Sequence, residues 1–424
     1  MSDSWKIETK TVQCGYNPAN GEPRVTPICQ STTYKYDNAQ SVADWFDLKA
    51  PGHIYTRLTN PTVSVFEAKM AKLEKGVAAI ATSSGQTANM LAILNVAPSG
   101  SHVVASSALY GGTFNLFKHT MKQMNIDFTF VRPDAPIEEI AAAVRPNTKA
   151  IFGETLANPV LSVLDFDKFS AVAKKNGIPF IVDNTFPTPY LCNPFDFGVD
   201  IVTHSSTKYI DGHATSVGGV IVEKGGFDWS NGKFPMFTEP DESYHGLVYT
   251  KQFASHPYIA RLLAVWIRDL GTPMAPFNAF LSNMGLETLH LRMERHSSNA
   301  LKLAEYLKNH PKVSWVNYPF LPDSPEYERA KKYLRGGSGV LSFGIKGGAK
   351  AGEKVMNALK LAAIVVHVAD VRTCVLHPAS MTHRQLNDEE LKAAGVAPDL
   401  IRVSVGIEHI DDIIADFEQA MAQI

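Results

Sequence analysis

Cysteine is scarce in this chain. Only Cys14, Cys29, Cys192 and Cys374 occur, and they lie far apart. With no CxxC pair, a zinc site or a disulfide framework has no sequence basis, and the thiols read as buried or incidental. A dominant charge is also missing. Lysine plus arginine number 40, aspartate plus glutamate 42, and the formal net charge is -2. That balance argues against nucleic acid or an acidic membrane surface as a partner. No uninterrupted apolar run is long enough to span a bilayer. The opening "MSDSWKIETKTVQCGYN" has no apolar h-region, so a signal peptide is not expected and a cytoplasmic location is.

The common cofactor motifs are missing as well. "SNGKF" lacks both the first glycine and the hydroxyl of a triphosphate loop. No G-x-G-x-x-G follows a strand and opens a helix, so a nicotinamide site has weak support. No H-E-x-x-H occurs. His377 and His383 in "LHPASMTH" are not spaced as an i, i+4 ligand pair and read as structural.

What is present is an ordinary globular balance over 424 residues, 45% of them hydrophobic, enough for two or three domains. Residues 1–62 hold several Pro and Gly without regular periodicity and read as an extended, loop-rich arm. In "VSVFEAKMAKLEKG", Val65, Met70 and Leu73 share one helical face, and Gly76 is the expected stop. Strands and helices then alternate. "VAAIATS", "HVVAS", "DFTFV", "KAIFGETL", "PFIVDNTF", "DIVTHSS" and "GGVIVE" read as strands, mostly separated by amphipathic helices. This pattern predicts α/β units around a mainly parallel central sheet spanning 63–275. Residues 276–424 read as a smaller α+β domain. It has a long helix, strands at "GVLSFGI" and "IVVHVAD", and a C-terminal helix.

Open parallel sheets bind ligands at the carboxyl ends of their strands. The polar residues there are Ser83, Ser84, Gly85 and Gln86, then Tyr110, Asn158, Asp183, and finally Ser205, Thr207 and Lys208. Each alone has a plain structural reading: a helix N-cap, packing, a local ion pair. Together they match the needs of pyridoxal 5'-phosphate. Its aldehyde needs a lysine amine, its ring nitrogen a carboxylate, its ring face an aromatic. Its phosphate needs hydroxyls and helix-start N–H groups.

The stretch "DNTFPTPYLCNPFDFGVDIVTHSSTKYIDGHATSVGGVIVE" resembles the signature of the Cys/Met-metabolism family of pyridoxal-phosphate enzymes around its Schiff-base lysine. The likeness runs from "YTRLTNPT" to "LIRVSVGIEHIDDIIADFEQAM". "KFPMFTEPDESYHGLVYT", "PFNAFLSNMGLETLHLRMERHSSNALKLAEYLKNHPKV" and "HPASMTHRQL" are most similar to its O-acetylhomoserine sulfhydrylases. The resemblance implies the aspartate-aminotransferase type I fold of PLP-dependent transferases. It implies a homo-oligomer, dimers with shared sites paired into a tetramer. It also implies γ-replacement: O-acetyl-L-homoserine and a sulfur donor give homocysteine, or methionine from methanethiol, plus acetate.

Residue roles follow by position. Lys208 would be the Schiff-base lysine and proton shuttle, and Asp183 the partner of the ring nitrogen. Tyr110 would stack on the ring and assist elimination. Gly85, Gln86, Ser205 and Thr207 would hold the phosphate. Tyr55 and Arg57 of the arm would reach the phosphate in a neighbouring subunit. Arg402 would grip the substrate carboxylate, and Asn158 the ring hydroxyl or that carboxylate. Two departures from the family stand out. His367 and Ala369 replace an Asn- or Ser-containing segment and a glycine, and Gly112 stands where methionine γ-lyases carry cysteine. The sulfur donor (sulfide, thiol or carrier protein) and the acyl group, acetyl or succinyl, stay open. So do the rival γ-lyase and cystathionine γ-synthase activities, and a binding protein on a decayed scaffold.

Overall fold

The computed structural model describes residues 4–50, 52–381, 384 and 396–424. Seven strands form the larger sheet: β1 (Ala78–Thr82), β2 (His102–Ser106), β3 (Asp127–Val131), β4 (Thr148–Glu154), β5 (Phe180–Asp183), β6 (Ile201–Ser205) and β7 (Gly219–Glu223). Their order is β1-β7-β6-β5-β4-β2-β3. Neighbours from β6 through β3 run parallel, while β7 is antiparallel to both β6 and β1. Strand β1 therefore points the same way as β6. The carboxyl ends of β1, β2, β4, β5 and β6 all fall on one edge.

A second sheet has the order β10-β11-β12-β9-β8. Its strands are β8 (Val313–Asn317), β9 (Val340–Ile345), β10 (Ala363–Ile364), β11 (Cys374–Leu376) and β12 (Leu400–Ser404). The two cores are joined by helix Leu289–Asn309. Leu289 and Met293 at its start bury into the first, and Ala300, Leu303, Ala304 and Leu307 into the second. Both faces of the larger sheet are covered, so Val103, Val104, Ala105, Ile151, Phe152, Val182 and Val202 are all fully buried. At about 25 cal/mol per Å² of apolar surface, burying such strands favours the folded state.

Three sequence expectations need correction. The arm is not wholly extended: Ile7–Gln13 and Ala39–Phe46 are helices. Asn38 caps the second, accepting from Ser41 N, and Trp45 anchors its apolar face. Helix Pro61–Glu74 ends on Lys75, which takes the left-handed conformation with φ 64°. Gly76 serves a different purpose there. A Cβ on it would stand 2.5 Å from Val222 Cγ1, so the glycine lets the chain pass close beneath β7. Finally, "IVVHVAD" is no strand beyond Ile364. Val366 stands 79% exposed and Ala369 has φ 73°, which together carry the chain out of the sheet and over the strand ends.

Candidate active site

The strand ends surround a cavity of about 210 Å³. Gly85, Gln86, Tyr110, Asn158, Asp183, Ser205, Thr207, Lys208 and Arg402 all line it. Of the residues singled out from sequence for this site, Tyr55, Arg57 and Ser83 do not. Arg57 lies over the Tyr55 ring, 5.3 Å from its centroid, and donates to the carbonyl of Arg268.

Lys208 sits just past β6 in a turn that is held from three sides. Tyr209 is fully buried, its hydroxyl accepting from Gly339 N (3.0 Å). The Tyr209 carbonyl accepts from buried Arg292 (2.8 Å). Asp211 gathers the following loop, accepting from His213 N, Thr215 N, Thr215 Oγ1 and Ser216 Oγ. At roughly 1 kcal/mol per net hydrogen bond, this frame holds the lysine stem in place. Burial, helped by the Arg402 guanidinium, lowers the Lys208 amine to about 8. By the titration law, roughly a tenth is neutral at pH 7, against well under a thousandth for a free lysine.

Asp183 is buried and clamped. Its Oδ1 accepts from Thr185 N (3.0 Å) and Thr185 Oγ1 (2.5 Å), and its Oδ2 from Asn89 Nδ2 (2.9 Å). Thr185 Oγ1 in turn accepts from Ser205 N, and Asn89 Oδ1 accepts from Thr203 Oγ1. The carboxylate is thus tied through Thr185 to the end of β6 at Ser205. Asn89 and Thr185 carry no motif. Their roles emerge only once β5 and β6 pair in register, Asp183 beside Thr203.

Glu154 is a further residue that the sequence reading missed. It pairs with Asp183 across β4 and β5. Burial, together with the neighbouring Asp183 charge, pushes its carboxyl well above the ordinary range. Its Oε2 accepts from Tyr110 N (2.7 Å), fixing the start of the tyrosine segment. Gln86 fixes the other side, its Nε2 donating to Gly112 O and its Oε1 accepting from Thr113 Oγ1. Gly112 is packed against the ring. A Cβ there would come within 2.5 Å of Tyr110 Cε1, so a cysteine at this position would displace the tyrosine from its present pose.

Helix Gly85–Leu94 opens on this cavity, with Ser84 capping it through Thr87 N. The first N–H groups of a helix have no partner inside it. Gly85 permits a close approach to β6: a Cβ on it would stand 2.5 Å from Ser205 Cβ. Thr207 Oγ1 exchanges hydrogen bonds with Gly218 O and N. A glycine cradle, a helix start and two hydroxyl residues together form an anion seat. Opposite, Arg402 on β12 is 6% exposed. It donates through Nη1 to Asn158 Oδ1 (3.2 Å) and through Nη2 to His367 O (2.9 Å). Its Nε has no partner, and among the described residues no carboxylate lies within 4.0 Å. Such an uncompensated buried guanidinium suits an incoming carboxylate. His377 keeps the structural part expected of it, its ring nitrogens meeting Ser380 Oγ and Pro398 O. His383 lies outside the described residues.

A buried amine with a lowered pKa, a clamped carboxylate, an aromatic and an anion seat fit pyridoxal phosphate at the rim of an α/β sheet. They define a PLP-dependent enzyme of the type I fold. The chain belongs to the Cys/Met metabolism PLP-dependent enzyme family, whose model matches residues 8–422. It is 49% identical over 424 residues to a homocysteine synthase of Schizosaccharomyces pombe, covering 99% of each chain. It is 45% identical to an O-acetyl-L-homoserine sulfhydrylase of Leptospira meyeri, over 100% of this chain and 98% of that one. A solved structure from Campylobacter jejuni, described as an O-acetylhomoserine (thiol)-lyase carrying a pyridoxyl-lysine phosphate, superposes with a TM-score of 0.95. That protein is 38% identical, with 99% of this chain and 100% of that one covered. Among the described residues, no helix is long and apolar enough to cross a membrane.

Proposed function

We propose that this chain replaces the acetate of O-acetyl-L-homoserine by sulfur, forming homocysteine from sulfide, or methionine from methanethiol. The observation that carries the reading is the convergence of Lys208, Asp183 and Arg402 on one cavity. The relatives named above, similar over nearly their whole length, carry the choice of substrate.

When bound, the cofactor withdraws the electron pair left behind as substrate C–H bonds break. The chain's residues do the rest. Gly85, Gln86, Ser205 and Thr207 seat the phosphate, and Asp183 keeps a proton on the ring nitrogen. Tyr110 covers the ring. Arg402 receives the substrate carboxylate beside Asn158 and so turns the α-proton toward Lys208. The lowered pKa of Lys208 supplies the neutral amine that must take that proton. Residues 63–275 carry the cofactor in this reading, and 276–424 supply Arg402.

Product analysis with and without sulfide tests the assignment. With sulfide, homocysteine and acetate should form in equal amounts. Ketobutyrate and ammonia at the same rate without sulfide would make it a γ-lyase. Comparing the acetyl and succinyl esters, and sulfide, methanethiol and a thiocarboxylated carrier protein, would then fix the donor and acyl group.

The arm, residues 1–62, completes the site of a second copy through Tyr55 and Arg57. Tyr55 is 41% exposed, and Val217 and Phe277, at 56% and 52%, are bare apolar side chains. Asn278 Nδ2 donates to Val217 O, so the latter two lie together, a surface suited to self-association. Mixing Arg57→Ala chains with Lys208→Ala chains is expected to restore up to about a quarter of the activity, by random pairing of one intact site per hybrid dimer. No recovery despite proven subunit exchange would refute shared sites; two such dimers would make the expected tetramer.

A further inference from the structure

Tyr110 has to stay over the cofactor seat, yet little holds its side chain. The residue is 45% exposed, and among the described residues its hydroxyl has no hydrogen-bond partner. Its place is set through the backbone. Tyr110 O accepts from Phe114 N (2.9 Å) in helix Gly111–Asn115. Tyr110 N donates to Glu154 Oε2 (2.7 Å). Glu154 is the last residue of β4, is buried and lines the same cavity. The second bond therefore ties the tyrosine segment, which follows β2, to the neighbouring strand.

Glu154 also stands beside Asp183 in the register of β4 and β5. Residues paired across two strands point to the same face of a sheet, so the two carboxyls face one another. They are not equally served. Asp183 accepts from Thr185 N, Thr185 Oγ1 and Asn89 Nδ2. Glu154 has only backbone N–H groups, those of Tyr110 and Asn158. Of the other ionisable groups that line the cavity, Tyr110, Lys208, His367 and Arg402, none offsets a charge on it. Burial and the facing Asp183 charge push its carboxyl well above the usual range. Of two like charges crowded into a buried site, the less well-solvated one is given up.

We propose that Glu154 is the positioning residue for Tyr110 and that it works as an uncharged acid, leaving the negative charge of the pair on Asp183. This rests on the cofactor seat and on the part given to Tyr110 in the proposed function, and is independent of the sulfur donor and the ester. Without an acceptor at 154, Tyr110 N is released and the ring loses its anchor on the strand side. A misplacement of about 1 Å beside reacting atoms costs on the order of a hundredfold in rate.

Two variants separate the claims. Glu154→Gln keeps an oxygen for Tyr110 N and is uncharged at every pH, whereas Glu154→Leu has no acceptor. In the cofactor-loaded protein, Glu154→Leu should lower kcat for homocysteine formation on the order of a hundredfold. KM should change by no more than about fivefold, because Arg402 is held by Asn158 Oδ1 and His367 O. Glu154→Gln should recover most of the loss, to within about tenfold of the unaltered kcat. Equal kcat in the two variants would overturn the positioning part.

The charge is read without cofactor or turnover. At pH 7 the infrared difference spectrum between the cofactor-free unaltered and Glu154→Gln chains should carry a protonated-carboxyl band. Asp183→Asn removes the facing charge, so in that background the band should fade at lower pH. A carboxylate band in its place, or a midpoint that Asp183→Asn leaves unmoved, would overturn the uncharged acid. Should Glu154→Leu fail to fold, this spectrum decides alone. An unaltered chain that takes up the cofactor yet forms no homocysteine would sink the replacement reading and leave the infrared result standing.

Discussion

With Lys208 replaced by alanine, turnover is expected to fall on the order of 10^4-fold, while the protein still folds and takes up the cofactor non-covalently. The size follows from the two tasks that the proposed function gives this amine, linkage and proton transfer. The seat is independent of it: Gly85, Gln86 and Ser205 are placed by helix Gly85–Leu94 and β6, Thr207 by Gly218, and Asp183 by Thr185 and Asn89. A small added amine such as methylamine should restore part of the rate, because it supplies a base without a tether. Folding should benefit. The folded-state pKa of about 8 lies below the ordinary 10.5, so burying the ammonium costs stability. That cost is fully present below pH 8 and fades as pH rises to 10.5. The cofactor-free Lys208→Ala chain should therefore melt at a higher temperature than the unaltered one at pH 7, and the gap should close near pH 10. Turnover within tenfold of normal, without added amine, would contradict the assignment.

Asp183→Asn is expected to lower turnover on the order of 10^3-fold at saturating substrate. A charged carboxylate keeps the ring nitrogen protonated, and an amide cannot. The local structure adds a second effect. Asp183 Oδ2 accepts from Asn89 Nδ2, and Asn89 Oδ1 is already taken by Thr203 Oγ1. An amide that keeps its oxygen on Thr185 would turn its NH2 toward another NH2. Such an unpaired contact costs about 1 to 3 kcal/mol. Cofactor affinity should fall with it, seen in a spectral titration. Thermal melting of both cofactor-free chains separates this packing cost from the chemical one. Near-normal turnover would remove the carboxylate from the mechanism.

How much of this was legible in the sequence depends on whether a residue's task is set locally or by pairing. Lys208, Asp183 and the Ser84-Gly85 turn could be found because each ends an apolar strand, and parallel strands bring such ends to one edge. The strands themselves were legible for the same reason, being buried on both faces. Asn89 and Thr185 were not. They matter because β5 and β6 pair in one register, which no local pattern encodes. Glu154 was hidden in plain view at the end of "AIFGE", where its consequence depends on Asp183 lying next to it. The segment "IVVHVAD" misled because its Val/Ile content favours a strand, while Ala369 at φ 73° turns the chain away. That turn is what sets His367 against Lys208. The departures at His367 and Gly112 were visible as unusual letters; their contacts with Lys208 and the Tyr110 ring were not.

The most direct measurement is borohydride reduction of the yellow, cofactor-loaded protein, followed by peptide mass mapping. The account expects the colour to bleach and one pyridoxyl phosphate per chain to be fixed on the peptide containing Lys208. A label on any other lysine, or a loaded protein that reduction leaves unlabelled, would contradict it.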